Sequence, residues 1–386
     1  MIILGIESSC DETSAAVVED GRTLLSNVVN SQVDIHAEYG GVVPEVAARS
    51  HIEVINPVIR QAMRDAHVTW DDIDAIAVAY APGLIGSLLV GVLAARTLAE
   101  LHNKPLYPVH HVEGHIYANF IVEQGGAYPT TSLQNEFEAS VPPPKDRLSS
   151  HAAPTLDLPS KQPKFPMLAL AVSGLHSQLM VFENHGNYRL LGETLDDAVG
   201  EAFDKVARML GLPYPGGPSI TAAALNGNPR AYSLPKAKLK SPYDFSFSGL
   251  KTAVLRAIQR EVGVDHTFPS HKLPALLNDV QRADFAASFQ YTAVKTLVDA
   301  TKKAVEEFNP ASVVIAGGVA ANSELRRQLS ERLPLPIEYA PISLCTDNGA
   351  MIAALGYYHA QVIPPTPVDD VTVRPSLSML DTVWNK

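Results

Sequence analysis

Residues 4–18, Leu4-Gly5-Ile6-Glu7-Ser8-Ser9-Cys10-Asp11-Glu12-Thr13-Ser14-Ala15-Ala16-Val17-Val18, read as an apolar strand, a tight polar turn and a second strand that runs out at Glu19-Asp20-Gly21. A similar hairpin recurs at Leu168-Ala169-Leu170-Ala171-Val172-Ser173-Gly174-Leu175-His176-Ser177-Gln178-Leu179-Met180-Val181-Phe182, followed by polar residues through His185-Gly186. The repetition points to an internal duplication. Helical patterns and further strands follow each hairpin, at Ala75 to Ala79 and at Ser312 to Ala316, and this alternation predicts α/β layers. The second of these strands runs into Gly317-Gly318-Val319-Ala320-Ala321-Asn322 and a helical Ser323-Glu324-Leu325-Arg326-Arg327. Glycines between a strand and a helix start let a nucleotide approach backbone amides.

Neither a G-x-x-x-x-G-K-[ST] loop nor a G-x-G-x-x-G fingerprint occurs, so the phosphate grip is neither that of a P-loop NTPase nor that of a Rossmann dehydrogenase. The duplicated hairpin with a late strand-Gly-Gly turn resembles the actin, Hsp70 and sugar-kinase (ASKHA) architecture, a two-lobe α/β fold with a nucleotide cleft between the lobes. Three segments are expected: an N-terminal lobe at 1–109, a second lobe at 110–345 carrying metal and nucleotide sites, and a segment at 346–386 returning to the N-terminal lobe. Within the second, residues 124–165 turn to Pro, Ser, Thr and mixed charge around Pro142-Pro143-Pro144. Such a stretch buries too little apolar surface to offset its ordering entropy and reads as a flexible surface insertion.

The 386 residues carry 30 basic and 41 acidic side chains, a net charge of −11 that disfavours nucleic-acid binding by bulk electrostatics and leaves room for a local basic patch or for partner proteins. Cys10 and Cys345 lie far apart, without zinc-knuckle spacing, and read as packing thiols in a reducing compartment. The apolar stretch Leu84 to Ala95, stopped by Arg96, is too short to span a bilayer and reads as a buried helix. With an apolar strand at Ile2-Ile3-Leu4 and the first basic residue at Arg22, no targeting segment is visible, and the expectation is a cytoplasmic protein without a membrane partner.

The densest chemical signal is Val109-His110-His111-Val112-Glu113-Gly114-His115. On a helix, His111 and His115 lie only about 40° apart and both can reach one metal ion. The zinc-protease pattern H-E-x-x-H is absent, because Glu113 would be turned roughly 160° to 200° away from both imidazoles. A third ligand is needed, and Asp347 in Thr346-Asp347-Asn348-Gly349 is the best candidate, since two imidazoles and one carboxylate leave positions open for substrate. A solvated or core-satisfied histidine pair stays open on spacing alone. So do a metalloprotease, a small-molecule kinase or ATPase, and a nucleotide-binding regulatory module.

Taken with Gly5 to Thr13, Gly40-Gly41-Val42-Val43-Pro44-Glu45, Arg49-Ser50-His51, Pro82 to Leu88, Gly200 to Lys205, Tyr214-Pro215-Gly216-Gly217, Phe245 to Thr252, Gly317 to Asn322 and Thr346 to Gly349, the histidine pair makes the chain closely resemble the tRNA threonylcarbamoyladenosine transferases, called TsaD in bacteria. The resemblance implies transfer of the threonylcarbamoyl group of threonylcarbamoyl-AMP to N6 of the adenosine just 3′ of the anticodon, in tRNAs reading codons that begin with A. The product is t6A, and AMP is released. It implies one divalent metal on His111, His115 and Asp347, usually Fe2+, with Zn2+ or Mg2+ also suited to these ligand types. It also implies a substrate loop at Ala171, Val172, Ser173, Gly174 and Leu175, a nucleotide site completed by Asp204, Gly217 and Asn322, and accessory proteins: a paralogous TsaB-type subunit and a TsaE-type ATPase. Asp11 and Glu12, on the first hairpin turn, are the candidate catalytic carboxylates for proton removal from N6 or for orienting the base. Two positions depart from the family pattern. Ser173-Gly174-Leu175-His176-Ser177 stands for Ser-Gly-Gly-His-Thr, and Ala81-Pro82-Gly83-Leu84 for Gly-Pro-Gly-Leu. Leu175 is expected to resist a left-handed backbone and to add bulk beside the ligand.

Overall fold

Along the first strand Leu4 and Ile6 face one way, and Ile3, Gly5 and Glu7 the other. The first pair joins a core with Val54, Ile55, Val58 and Ile59 of one helix and Val92, Ala95 and Ala99 of another. The second set meets a helix from the C-terminal part of the chain, where a Cβ on Gly5 would stand 2.2 Å from the Gly349 carbonyl oxygen. A strand covered on both faces reads as continuously apolar, which is why residues 2–6 show no alternation.

The computed structural model describes residues 1–122, 130–132 and 158–382. The insertion read at 124–165 lies outside the described residues except for 130–132 and 158–165. In chain order the elements are β1 (Ile2–Glu7), β2 (Glu12–Glu19), β3 (Thr23–Ser31), α1 (Val33–Ala37), α2 (Pro44–Asp65), β4 (Ala75–Ala81), α3 (Ile85–His102), β5 (Leu106–His110), α4 (His111–Tyr117), β6 (Thr130–Ser132), β7 (Met167–Val172), β8 (Ser177–Asn184), β9 (Asn187–Glu193), α5 (Val199–Leu210), α6 (Gly216–Ala224), α7 (Ser248–Glu261), α8 (Asp279–Phe308), β10 (Ser312–Ala316), α9 (Ser323–Arg332), β11 (Ile337–Tyr339), α10 (Ile342–Cys345) and α11 (Gly349–Val362).

The duplication is explicit in the two sheets. One has the order β5-β4-β1-β2-β3-β6 and the other β11-β10-β7-β8-β9. In each, the opening hairpin is antiparallel and its first strand pairs in parallel with a later strand: β1 with β4, and β7 with β10. The further parallel neighbour is β5 in one sheet and β11 in the other. Both expected hairpins and both crossover strands are therefore in place, on the α/β fold the sequence suggested.

The segment boundaries differ from those expected. One unit comprises Met1–Asp34, Val42–Gln162 and Asp347–Ser378; the other comprises Ile35–Gly41, Pro163–Thr346 and the chain from Met379. The break placed after residue 109 moves to 162/163, because β5 is bound to β4 and passes directly into α4. The histidine pair thus belongs to the first unit, not to a second lobe starting at 110. The C-terminal segment is shared, with Met379 accepting a 2.6 Å hydrogen bond from the Tyr188 hydroxyl in the second unit.

Helix α3 also departs from expectation. It continues past Arg96 to His102 and is the one helix among the described residues long and apolar enough to cross a membrane by length and composition. Only one of its faces is buried, through Leu88, Val92, Ala95 and Ala99, while Ile85, Leu89 and Leu93 are exposed. Both cysteines are free, and burial is the main cause of a raised thiol pKa at each.

The close approach of β1 and α11 gives a stability prediction. Gly5→Ala drives a methyl group into the Gly349 carbonyl and the Ala353 backbone, which are fixed helix atoms. The expected loss is about 1–3 kcal/mol, typical of overpacking, read as a lower urea midpoint at unchanged slope. An unchanged midpoint would show that α11 yields freely.

Candidate metal and nucleotide sites

Strand β1 and helix α4 together position the first unit's site. Glu7 ends β1 on the face toward α4 and is fully buried; its Oε2 lies 2.9 Å from His111 Nδ1, and its Oε1 accepts the Ser9 amide at 2.5 Å. Ser9 Oγ is 3.0 Å from the same imidazole nitrogen. With the proton on Nδ1 donated to a carboxylate, Nε2 becomes a lone-pair donor once its own proton is displaced, the usual arrangement behind a metal-binding histidine. Asp347 precedes α11, whose start is fixed by the Asn348 side chain accepting the Met351 amide at 3.0 Å and by the Gly349 amide donating to Ser14 Oγ at 2.8 Å.

The three candidate ligands converge. Asp347 Oδ1 lies 3.0 Å from His115 Nε2 and 3.5 Å from His111 Nε2, and one donor atom from each residue falls within 4.8 Å of the others. The two rings are edge to face with centroids 4.7 Å apart. His115 is 2% exposed, yet neither of its ring nitrogens makes a hydrogen bond among the described residues. A buried polar atom in that state costs about 1–3 kcal/mol, and a cation at the convergence point would relieve it. Two imidazoles and a carboxylate with open positions suit non-haem Fe(II) and also Zn(II), so the donor set fits a divalent metal. Burial opposes the charged form of His111, but Asp347 and Glu7 outweigh it and lift the imidazole to about 9.

Asp11 and Glu12 stand on the turn between β1 and β2 in the same unit. Burial, followed by the charges of Asp11 and Asp347, pushes the Glu12 carboxyl well above its ordinary range, and Ser31 Oγ donates to it at 3.1 Å. A carboxyl tuned upward suits proton transfer near neutral pH. His51 of α2 holds this turn, with Nδ1 2.7 Å from Thr13 Oγ1 and Nε2 3.0 Å from the Cys10 carbonyl, which also accepts from Ser87 Oγ. Glu113 lies on α4 between the histidines and is fully buried.

The second unit gathers the residues expected at the nucleotide. Ala171 and Val172 end β7, and the loop from Ser173 is clamped to α5, where the Gly200 and Glu201 amides donate to the Ser173 and Gly174 carbonyls at 3.3 and 3.1 Å. Gly317, at φ +86°, crosses beside this loop; a Cβ there would stand 2.5 Å from the Val172 carbonyl oxygen. Asp204 Oδ1 accepts the Gly216 amide at the start of α6, beside Gly217. Asn322 caps α9 through Leu325, and its amide donates to Thr221 Oγ1 of α6 at 3.1 Å and to Gln290 Oε1 at 3.0 Å. A cavity of about 330 Å3 touches Asp204, Arg208, Tyr214 and Gly216, but residues 171–175, Gly217 and Asn322 do not line it.

Leu175 is 57% exposed and does not adopt a left-handed backbone, in line with the resistance expected of a leucine there. Lys251 Nζ lies 2.6 Å from Asp197, which Lys205 also binds at 2.9 Å. Sequence reasoning assigned no role to Glu7, Ser9 or His51. The available signal was a lone glutamate at the end of an otherwise apolar strand, a position that demands a buried partner.

The family profile described as "TsaD: tRNA N6-adenosine threonylcarbamoyltransferase" matches residues 23–134 and 146–354. The chain is 50% identical over 368 residues to a tRNA N6-adenosine threonylcarbamoyltransferase of Thermomicrobium roseum, covering 94% of this chain and 92% of that one. To the protein of the same description from Symbiobacterium thermophilum it is 51% identical over 360 residues, covering 92% and 91%. Among solved structures, HypF of T. kodakarensis superimposes with a TM-score of 0.54 at 12% identity, covering 93% of this chain and 48% of that one, a likeness of fold.

Proposed function

This chain belongs to the tRNA N6-adenosine threonylcarbamoyltransferase family, transferases that form t6A on tRNA, and we propose that its donor is threonylcarbamoyl-AMP, that AMP is the leaving group, and that a divalent metal assists. His111, His115 and Asp347 would hold that metal, which supplies Lewis-acid polarisation of the donor carbonyl. The observation that carries this reading is the buried His115 imidazole, without a hydrogen bond among the described residues, 3.0 Å from Asp347.

Exocyclic N6 of adenine is a poor nucleophile because its lone pair is delocalised into the ring. It attacks the carbonyl carbon, the bond from that carbon to the phosphate oxygen breaks, and AMP leaves with the electron pair. N6 gives up one proton in the same sequence. Glu12, whose pKa is raised, accepts it or orients the base, with Asp11 beside it. Glu7 keeps the His111 proton on Nδ1. In the second unit, the Ser173 loop, Asp204, Gly217 and Asn322 bind the nucleotide portion, with Leu175 narrowing the approach to the loop. The same reading places the chain in the cytoplasm with its tRNA, working with a synthetase that makes the adenylate, a paralogous TsaB-type subunit and a TsaE-type ATPase.

The test is transfer of labelled threonine to unmodified tRNA, with a synthetase supplying the adenylate in situ and accessory subunits added in parallel. Incorporation that survives exhaustive chelation would remove the metal from the reading. Failure with and without accessory subunits would remove the donor assignment.

A further inference from the structure

Residues 226–272 carry eight Lys or Arg against three Asp or Glu, in a chain whose formal charge is −11. Much of that excess sits on a strap laid along α8. Asn228 donates its amide to Asp284 at 2.7 Å, the Tyr232 ring stacks on Phe285 at 3.7 Å, Lys236 Nζ lies 2.9 Å from Asp299, and Tyr243 hydrogen-bonds Glu307. The contact points advance from 284 to 307 on the helix as the strap advances from 228 to 243. That stretch of helix is about 35 Å long, whereas a helical strap would reach only about 22 Å. The strap is therefore more extended than a helix, and residues 233–239 form neither helix nor strand.

At its centre the charges do not balance. Asp299 takes ion pairs from Lys236 at 2.9 Å, Lys295 at 3.0 Å and Arg332 at 2.6 Å. Burial raises the Asp299 carboxyl, yet hydrogen bonds from Lys236, Arg332 and Lys295 hold it well below the ordinary range. Lys238 and Lys240 are exposed and make no ion pair among the described residues. Three cations thus share one carboxylate and two more stand on the same strap without an ion pair among the described residues, an excess of like charge that an anion outside the chain would relieve.

We propose that Lys236, Lys238 and Lys240, with Lys295 and Arg332, form a docking surface for the phosphate backbone of RNA, and that it positions tRNA on this protein. The proposal rests on the tRNA-modifying reading above. Lys236, Lys238 and Lys240 follow one another along the strap, in a line that suits a polyanion better than a single phosphate, which needs convergent donors. Lysines act as point charges that position a backbone without reading bases. No large apolar side chain between 228 and 243 is exposed, so the strap lacks the anchors of a membrane-binding segment.

The experiment is fluorescence anisotropy of labelled, unmodified tRNA with the full chain and with Lys238→Ser/Lys240→Ser, from about 50 to 200 mM KCl. The variant is expected to bind several-fold more weakly at low salt, with a slope of log K against log[KCl] shallower by about 1–2. The loss should be equal for a tRNA whose target adenosine is replaced, because phosphate contacts carry no sequence. In the transfer assay the variant should show a raised KM for tRNA at unchanged kcat. An unchanged slope and affinity, no salt-dependent binding by the unaltered chain, or a loss confined to phosphatidylserine vesicles would overturn the proposal. A chain inactive in transfer that still shows the lysine-dependent slope would sink the catalytic reading and leave the strap standing.

Discussion

Replacing His115 with alanine is expected to cut threonylcarbamoyl transfer roughly a thousandfold or more, since loss of a Lewis acid removes several kcal/mol of transition-state stabilisation and each factor of ten is about 1.4 kcal/mol. His115 lies 3.0 Å from Asp347 and is buried, so its loss removes one of the three converging donors. His111→Ala should behave alike. The fold should persist. The lost imidazole leaves a small void, but it also removes a buried group that has no hydrogen bond among the described residues, and the two effects on stability oppose each other. Metal content by elemental analysis, the urea midpoint and transfer rate together form the check. Full activity in a metal-free His115→Ala protein would dismiss the proposed role of the triad.

Glu7→Gln is expected to lower metal affinity and transfer by about 10–100-fold, the usual scale for a carboxylate behind a ligating histidine. The substitution keeps side-chain volume and an acceptor oxygen beside His111 Nδ1, but removes the charge that helps hold the imidazole proton in place. A purely structural role would instead appear as a lower urea midpoint with metal affinity unchanged, so the metal titration separates the two. Wild-type metal affinity in Glu7→Gln would show that Ser9, 3.0 Å from the same nitrogen, is sufficient to orient the ring.

The difference between the two predictions reflects what was readable at each residue. His111 and His115 are separated by one helical turn, and a spacing of four on a helix needs no tertiary information to place both on one face. Glu7 appeared only as a polar residue at the end of an apolar run. Its meaning depends on which face of β1 it occupies and on what covers that face, and both are decided by the packing of α4 and α11.

The duplicated hairpins, the crossover strands at 75–79 and 312–316 and the Gly317-Gly318 turn are local patterns, and local patterns survive being read one segment at a time. The α/β fold was therefore determined by the sequence itself, and the family motifs did the same for the reaction class. What only the tertiary structure decided is long-range. The histidine pair belongs to the first unit because β5 is bonded to β4. Lys251 meets Asp197. One face of α3 stays exposed, and three cations gather around Asp299 from two helices and a strap. In each case the deciding partner is remote in sequence, and periodicity carries no information about a contact whose two ends are placed by the closure of a sheet.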